Sequence, residues 1–238
     1  MSNKFQIQLK KIDISLCEEQ IKKFDKYYNL LIEWNKVMNL TGITEYDDVN
    51  EKHFLDSLSI VKAKDIHTIN TVIDIGTGAG FPGIPLKIIF PHLEVVLLDS
   101  LGKRVKFLNT IIEELELDNV KAIHGRAEDF AKTEEYREKF DLSVSRAVSN
   151  LSTLSEYCLP YVKVGGLFIS YKSDSIEEEL IKSKLALNVL GGKLKNVISF
   201  QLPDTDIGRS FVIIEKVKKT PDKYPRKAGL PEKQPILS

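Results

Sequence analysis

Hydrophobic positions follow two different periods along this chain, and the change falls near residue 70. Before it, apolar residues recur at helical spacing. Ile21, Phe24, Tyr28, Leu31 and Val37 share one face of an amphipathic helix predicted over 15–40. Ser15, with Glu18 three residues later, supplies its capping-box start. Val49, His53, Leu55, Leu58 and Ile60 place a second helical stretch over 47–62. Together they predict an all-helical N-terminal cap, residues 1–66, packed on the remainder of the chain.

From residue 67 to 238 the pattern is different. Short β-rich runs alternate with helical ones: TVIDIG (71–76), then PGIPLKIIF (82–90); EVVLLD (94–99), then KRVKFLNTIIEELEL (103–117). VKAIHG (120–125), a short AEDFAK helix, FDLSVSR (140–146) and the helical NLSTLSEYCLPYV (150–162) continue the series. The strands are almost continuously apolar, as when helices cover both faces of a parallel sheet. After Gly165-Gly166 come LFISYK (167–172) and a helix predicted over 174–190, stopped by Gly191-Gly192. Two strands come next with no helix between them, KNVISFQL (195–202) and SFVIIEKV (210–217). Their connection is too short for a parallel crossover, so they form an antiparallel hairpin. The fold class is α/β, a Rossmann-like sheet of five parallel strands finishing in a hairpin.

The first strand-to-helix turn, VIDIGTGAGFPGIPL (72–86), carries the main chemical signal. Its glycines let the backbone turn tightly and approach a ligand. Gly78-Ala-Gly80-Phe-Pro-Gly83 spells G-x-G-x-x-G, so a dinucleotide is a candidate. Asp74 before the turn, and Pro82 and Pro85 in the first helical turn, weigh against it, because each proline removes an N–H that a pyrophosphate would use. A sulfonium cofactor, S-adenosylmethionine, makes no such demand. Asp99, ending the second strand, can accept hydrogen bonds from ribose hydroxyls; otherwise it is an ordinary strand-end residue. Glu128, or the Ala127–Glu128 backbone, can reach an adenine, although an acidic residue opening a short helix is common.

The fourth strand ends at Ser143-Val144-Ser145-Arg146-Ala147, which brings Arg146 to the ligand crevice as the catalytic-site candidate. The D/N-P-P-Y motif of amino-group methyltransferases is absent there. Cys158 lies in a helix before Pro160, where packing explains it better than nucleophilic attack. Cys17 and Cys158 are far apart, without metal or disulfide spacing, and fit a reducing cytoplasm. With 34 basic and 34 acidic residues the net charge is zero, which argues against coating nucleic acid by charge alone. A local basic cluster remains: Lys216, Lys218, Lys219, Lys223, Arg226 and Lys227 against Asp222. Alone it reads as a solvated tail.

With these segments in place the chain resembles the RsmG (GidB) family of bacterial 16S rRNA guanine-N7 methyltransferases. The strings that carry the resemblance are WNKVMNLTGIT (34–44), KHFLDSL (52–58), DIGTGAGFPGIPL (74–86), LLDSLGKRVKFL (97–108), GRAED (125–129), SRAV (145–148) and YPRKAGLPEKQPI (224–236). One variation is GTGAGF, where relatives often have GTGPGL. The resemblance implies a class I methyltransferase sheet and S-adenosylmethionine as cofactor. Gly76, Gly78 and Phe81 would lie on its methionine side, Asp99 and Ser100 on the ribose, and Ala127 and Glu128 on the adenine. Arg146 counts among the family's cofactor-site residues. Asn39, His53, Lys103, Arg104, Arg209, Arg226 and Lys227 would shape the RNA side, and the basic tail becomes an RNA-facing element. The implied partner is 16S rRNA or the small ribosomal subunit, met by a cytoplasmic monomer without metal or membrane attachment. The other readings are a nicotinamide-dependent oxidoreductase, a methyltransferase for a small molecule or protein, and a non-catalytic RNA-binding module.

Overall fold

The computed structural model describes residues 2–146, 149–173 and 176–237. Ala147 and Val148 of the SRAV string, and the first two residues of the helix predicted at 174, lie outside them. The strands are β1 Thr71–Ile75, β2 Glu94–Asp99, β3 Val120–His124, β4 Phe140–Arg146, β5 Val162–Lys172, β6 Gly192–Gln201 and β7 Gly208–Lys216. They form one seven-stranded sheet in the order β3-β2-β1-β4-β5-β7-β6, with β7 antiparallel to both β5 and β6. The carboxyl ends of β1 to β5 therefore lie along one edge. Arg209, at the start of the reversed β7, shares that edge, whereas Lys216 at its end lies on the other.

The helical cap contains more than the two helices predicted. A short α1, Asn3–Lys10, precedes α2, Glu18–Met38. The cap of α2 is Cys17, whose backbone N–H donates to Gln20 Oε1 at 3.0 Å, not Ser15 with Glu18. The buried face of α2 is Phe24, Tyr27 and Leu31; Val37 is 81% exposed and Tyr28 is only half-buried. The 46–62 stretch is one continuous helical run that changes winding three times. It begins as α3, Tyr46–Val49, widens into a π-turn over Asn50–Leu55, returns to α-helix as α4, Asp56–Leu58, and tightens to 3-10 over Ser59–Lys62. Single π-turns are rare and concentrate at functional sites; this one carries His53.

Helices α5 Gly83–Ile89, α6 Gly102–Glu114, α7 Ala127–Phe130, α8 Leu151–Cys158 and α9 Glu177–Leu190 flank the sheet, and α10 Leu230–Lys233 closes the chain. Gly191 ends α9 at φ 85°, as its glycine predicts. Cys158 is fully buried. One hydrophobic cluster runs from Phe5, Phe24, Tyr27 and Phe54 of the cap into Phe81, Leu108, Leu142, Ile169 and Phe211 beside the sheet. The cap thus shares its core with the sheet's face. No helix among the described residues is long and apolar enough to cross a membrane.

Candidate active site

The glycine turn between β1 and α5 is fixed from below by one carboxylate. Asp74 is fully buried, and its Oδ2 accepts from Thr77 Oγ1 at 2.7 Å and from the Gly83 N–H at 2.8 Å. Both ends of the turn are thereby tied to β1. Its Oδ1 has no hydrogen-bond partner among the described residues. Burial pushes the Asp74 carboxyl up to about 7, against the opposing pull of those two donors. Gly80, at φ 99°, stands so close to the cap that a Cβ would lie 2.7 Å from the Tyr27 hydroxyl; that hydroxyl donates to Ala79 O at 2.5 Å. Gly78 has φ 63° with open space beside it, so its glycine serves conformation and leaves the crevice clear.

Asp99, at the end of β2, faces this turn. It accepts from the Gly78 N–H at 2.9 Å, the Leu101 N–H at 2.9 Å and Arg104 Nη1 at 3.4 Å. A carboxylate offers roughly four lone-pair sites, so about one remains, and the long Arg104 bond is the most easily exchanged. A cavity of about 190 Å³ opens alongside, lined by Gly76, Ser100, Ala127, Glu128, Tyr157 and Glu232, among others. Here sequence reasoning and structure part in one respect. The Glu128 side chain is buried and accepts from the Gly229 N–H at 2.7 Å. The C-terminal segment occupies that carboxylate, and Tyr157 and Glu232 join a wall that no motif pointed to.

Phe81 does not stand open to the crevice. It is 5% exposed, stacked between Tyr27 at 5.4 Å and His53 at 4.6 Å, with the Arg146 guanidinium 5.1 Å above its ring. Arg146, ending β4, donates to Asp56 Oδ2 at 2.9 Å and Lys52 O at 3.2 Å, and its Nη2 meets His53 Nδ1 at 3.3 Å. Nδ1 also lies 3.2 Å from Lys52 O, and Nε2 lies 2.8 Å from Thr41 Oγ1. Burial, then the adjacent Arg146 charge, lower the His53 pKa to about 3. A second cavity, about 460 Å³, is lined here by Lys52, His53, Asp56, Arg146, Tyr171, Lys172 and Arg209, among others. Asp56, Tyr171 and Lys172 were missed in the sequence. The one available signal was an acidic residue inside the apolar run 54–60.

The basic residues divide sharply. Arg209 Nε donates to Asp56 Oδ1 at 2.8 Å, so Arg209 joins the cavity. Exposed Lys103 reaches Met38 O at 3.3 Å, beside Asn39, which ends α2 at φ 49°. Arg226 is turned away from solvent chemistry: Nε and Nη2 grip Glu156, with distances of 2.7–3.1 Å, and Glu156 is 1% exposed. Its side chain keeps 23% exposure, and Nη1 makes no bond among the described residues. Lys216 of the basic cluster is fully buried, contrary to an exposed tail, with Nζ donating to Leu159 O at 2.6 Å and paired with Glu138 at 3.2 Å. Lys218, Lys219, Lys223 and Lys227 remain exposed, so the tail is no uniform basic surface.

A doubly wound sheet of this order, with a glycine turn and an acidic residue ending the next strand, defines a class I S-adenosylmethionine-dependent methyltransferase. Structural likeness agrees on the fold: P. horikoshii TYW2 in complex with MeSAdo matches with a TM-score of 0.52 at 14% identity, over 73% of this chain and 64% of that one. MtNAS in complex with MTA and tNA matches at 0.54 and 14%, over 84% and 71%. The chain belongs to the GidB family, rRNA small subunit methyltransferase G, whose model matches residues 20–207. It is 55% identical to Ribosomal RNA small subunit methyltransferase G of Lachnoclostridium phytofermentans over 96% of this chain and 95% of that protein. The protein of that name from Clostridium tetani is 51% identical over 94% of each.

The residues present fit the cofactor. An unpartnered Asp74 oxygen beneath the turn, an open face at Gly78 and a remaining acceptor on Asp99 suit a cationic, ribose-bearing ligand better than a pyrophosphate.

Proposed function

We propose that this protein transfers a methyl group to N7 of a guanine in 16S rRNA of the bacterial small ribosomal subunit, in the cytoplasm and as a monomer. The observation that carries the reading is likeness over nearly the whole chain to proteins named for that rRNA. When bound, S-adenosylmethionine supplies the electrophilic methyl. Asp99 and Ser100 would hold its ribose, the Ala127–Glu128 backbone its adenine, and Gly76, Gly78 and Phe81 the methionine end, with Arg146 as the catalytic-site residue beside them. Residues 1–66 act as a helical cap and 67–238 as the methyltransferase domain.

Guanine N7 has an in-plane lone pair and no proton to lose, so catalysis needs positioning and electrostatics rather than a general base. In keeping with that demand, His53, lowered to about 3, is a poor proton acceptor, and Arg146, which only donates, is held by Asp56. Lys103, Arg104, Arg209 and Lys227 would meet RNA, phosphates being the natural partners of clustered cations.

The test is transfer of labelled methyl from S-adenosylmethionine to small-subunit RNA lacking the modification, with mapping of the base. Label at a guanine N7 is expected, and Asp99→Ala should raise the cofactor Kd about tenfold or more, a change of about 1.4 kcal/mol. Transfer to a small molecule without RNA, or tight NADH binding alone, would replace this reading with one of its rivals.

A further inference from the structure

Asp56 joins three distant parts of the chain through one carboxylate. It is 3% exposed and directly succeeds the π-turn of the cap. Its Oδ2 accepts from Arg146 at the end of β4 at 2.9 Å, and its Oδ1 from Arg209 at the start of β7 at 2.8 Å. Both guanidiniums line the 460 Å³ cavity. Two cations share one anion, so this wall keeps a positive balance. Each guanidinium keeps donors beyond those bonds. Arg146 also gives Nη1 to Lys52 O and Nη2 to His53, while Arg209 gives Nη1 to Gly208 O. Arg209 Nη2 makes no hydrogen bond among the described residues.

We propose that Asp56 is a positioning residue for the target nucleotide, fixing Arg146 and Arg209 so that their remaining N–H donors are held in the cavity wall for the nucleotide's oxygen acceptors. The proposal rests on the guanine-N7 reading above. Removing the carboxylate lets both guanidiniums leave the cavity wall and sets two like charges against each other, so their donors are no longer in place for the nucleotide. Asp56 touches neither cofactor nor reacting atom in this scheme; it acts through the arginines.

The experiment measures kcat and KM for small-subunit RNA, S-adenosylmethionine Kd and Tm for the full chain and for Asp56→Asn, Arg209→Lys and the double variant. Asp56→Asn is expected to raise the RNA KM about tenfold or more while cofactor Kd stays within about twofold. Arg209→Lys keeps the charge but loses the Nε donor, and should shift KM the same way. The double variant should be little worse than either single one, because both break one unit. Wild-type KM in Asp56→Asn, a multiplicative double variant, or cofactor affinity falling in step with RNA KM each overturns the proposal. If Asp56→Asn does not fold, Arg209→Lys decides: a KM rise equal to that of Arg209→Ala supports positioning, and a wild-type KM refutes it. Failure of the unaltered protein to methylate RNA would instead refute the function on which the proposal rests.

Discussion

A neutral imidazole at position 53 is built into the junction of cap and sheet, wedged against Phe81 and beside the Arg146 guanidinium. Its folded pKa, about 3, lies below the ordinary 6.5. Between those values the unfolded chain binds the extra proton and the folded one does not. Acidification through that window therefore costs stability, by at most about 1.4 kcal/mol per pH unit. Asp74 works in the other direction. Its carboxyl is raised from 3.8 to about 7, so the folded state holds its proton longer and stability falls as pH rises through that range. Where the windows overlap the two slopes oppose. His53→Gln removes one of them and leaves every other titration in place. Denaturant unfolding at pH 5, 6 and 7 should then show the variant gaining stability toward acid relative to the unaltered protein. The same pH profile for both would mean that His53 is not held neutral.

At the scale of elements, the C-terminal stretch is a strap rather than a free tail. Arg226 grips Glu156 of α8 through its side chain and its own N–H, Gly229 holds Glu128 of α7, and Thr153 donates to Pro231 O at 3.1 Å. Arg226→Ala leaves a buried, uncompensated carboxylate and should destabilise by about 2–4 kcal/mol, somewhat less than a wholly buried pair because Arg226 retains some exposure. Thermal unfolding should show a clear drop in Tm, with the RNA KM of the folded fraction unchanged; a changed KM at unchanged Tm would return Arg226 to the RNA side. β2 was legible to the residue as an apolar run, VVLL, between two acidic residues, and β4 as a period-two alternation, FDLSVSR. The strap was not, because its charges look solvated until Glu156 and Glu128 are brought beneath them. A π-turn likewise leaves no periodic trace over six residues, and α1, eight mostly polar residues, is stabilised by tertiary packing of Phe5 and Leu9. The Asp56 cluster joins positions 90 and 153 residues away, so only the sheet order could reveal it.

At the scale of the whole molecule, the basic residues of β7 and of the segment that follows it fall on two different edges of the sheet. Zero net charge hides this division. Because β7 runs against β5, Arg209 stands with Arg146 at the carboxyl edge, and Lys216 pairs with Gly192 at the other. Lys218 and Lys219 come immediately after, the Lys218 N–H bonding to Gly191 O at 3.2 Å, which keeps this part of the basic cluster across the sheet from the crevice. Electrostatic affinity for RNA scales with the number of phosphates neutralised, and each contact contributes its own share of the salt dependence. Two lysines placed away from the crevice should contribute little where the target nucleotide enters. Lys218→Ala with Lys219→Ala is expected to leave RNA KM and its salt slope near those of the unaltered protein, whereas Arg209→Ala should raise KM about tenfold. Measuring methyl transfer between 50 and 200 mM salt, about the range over which phosphate contacts are exchanged for counterions, separates the two. A flattened slope in the double lysine variant would show that RNA wraps the molecule as far as the opposite edge, and the cavity would then be only one end of a longer interface.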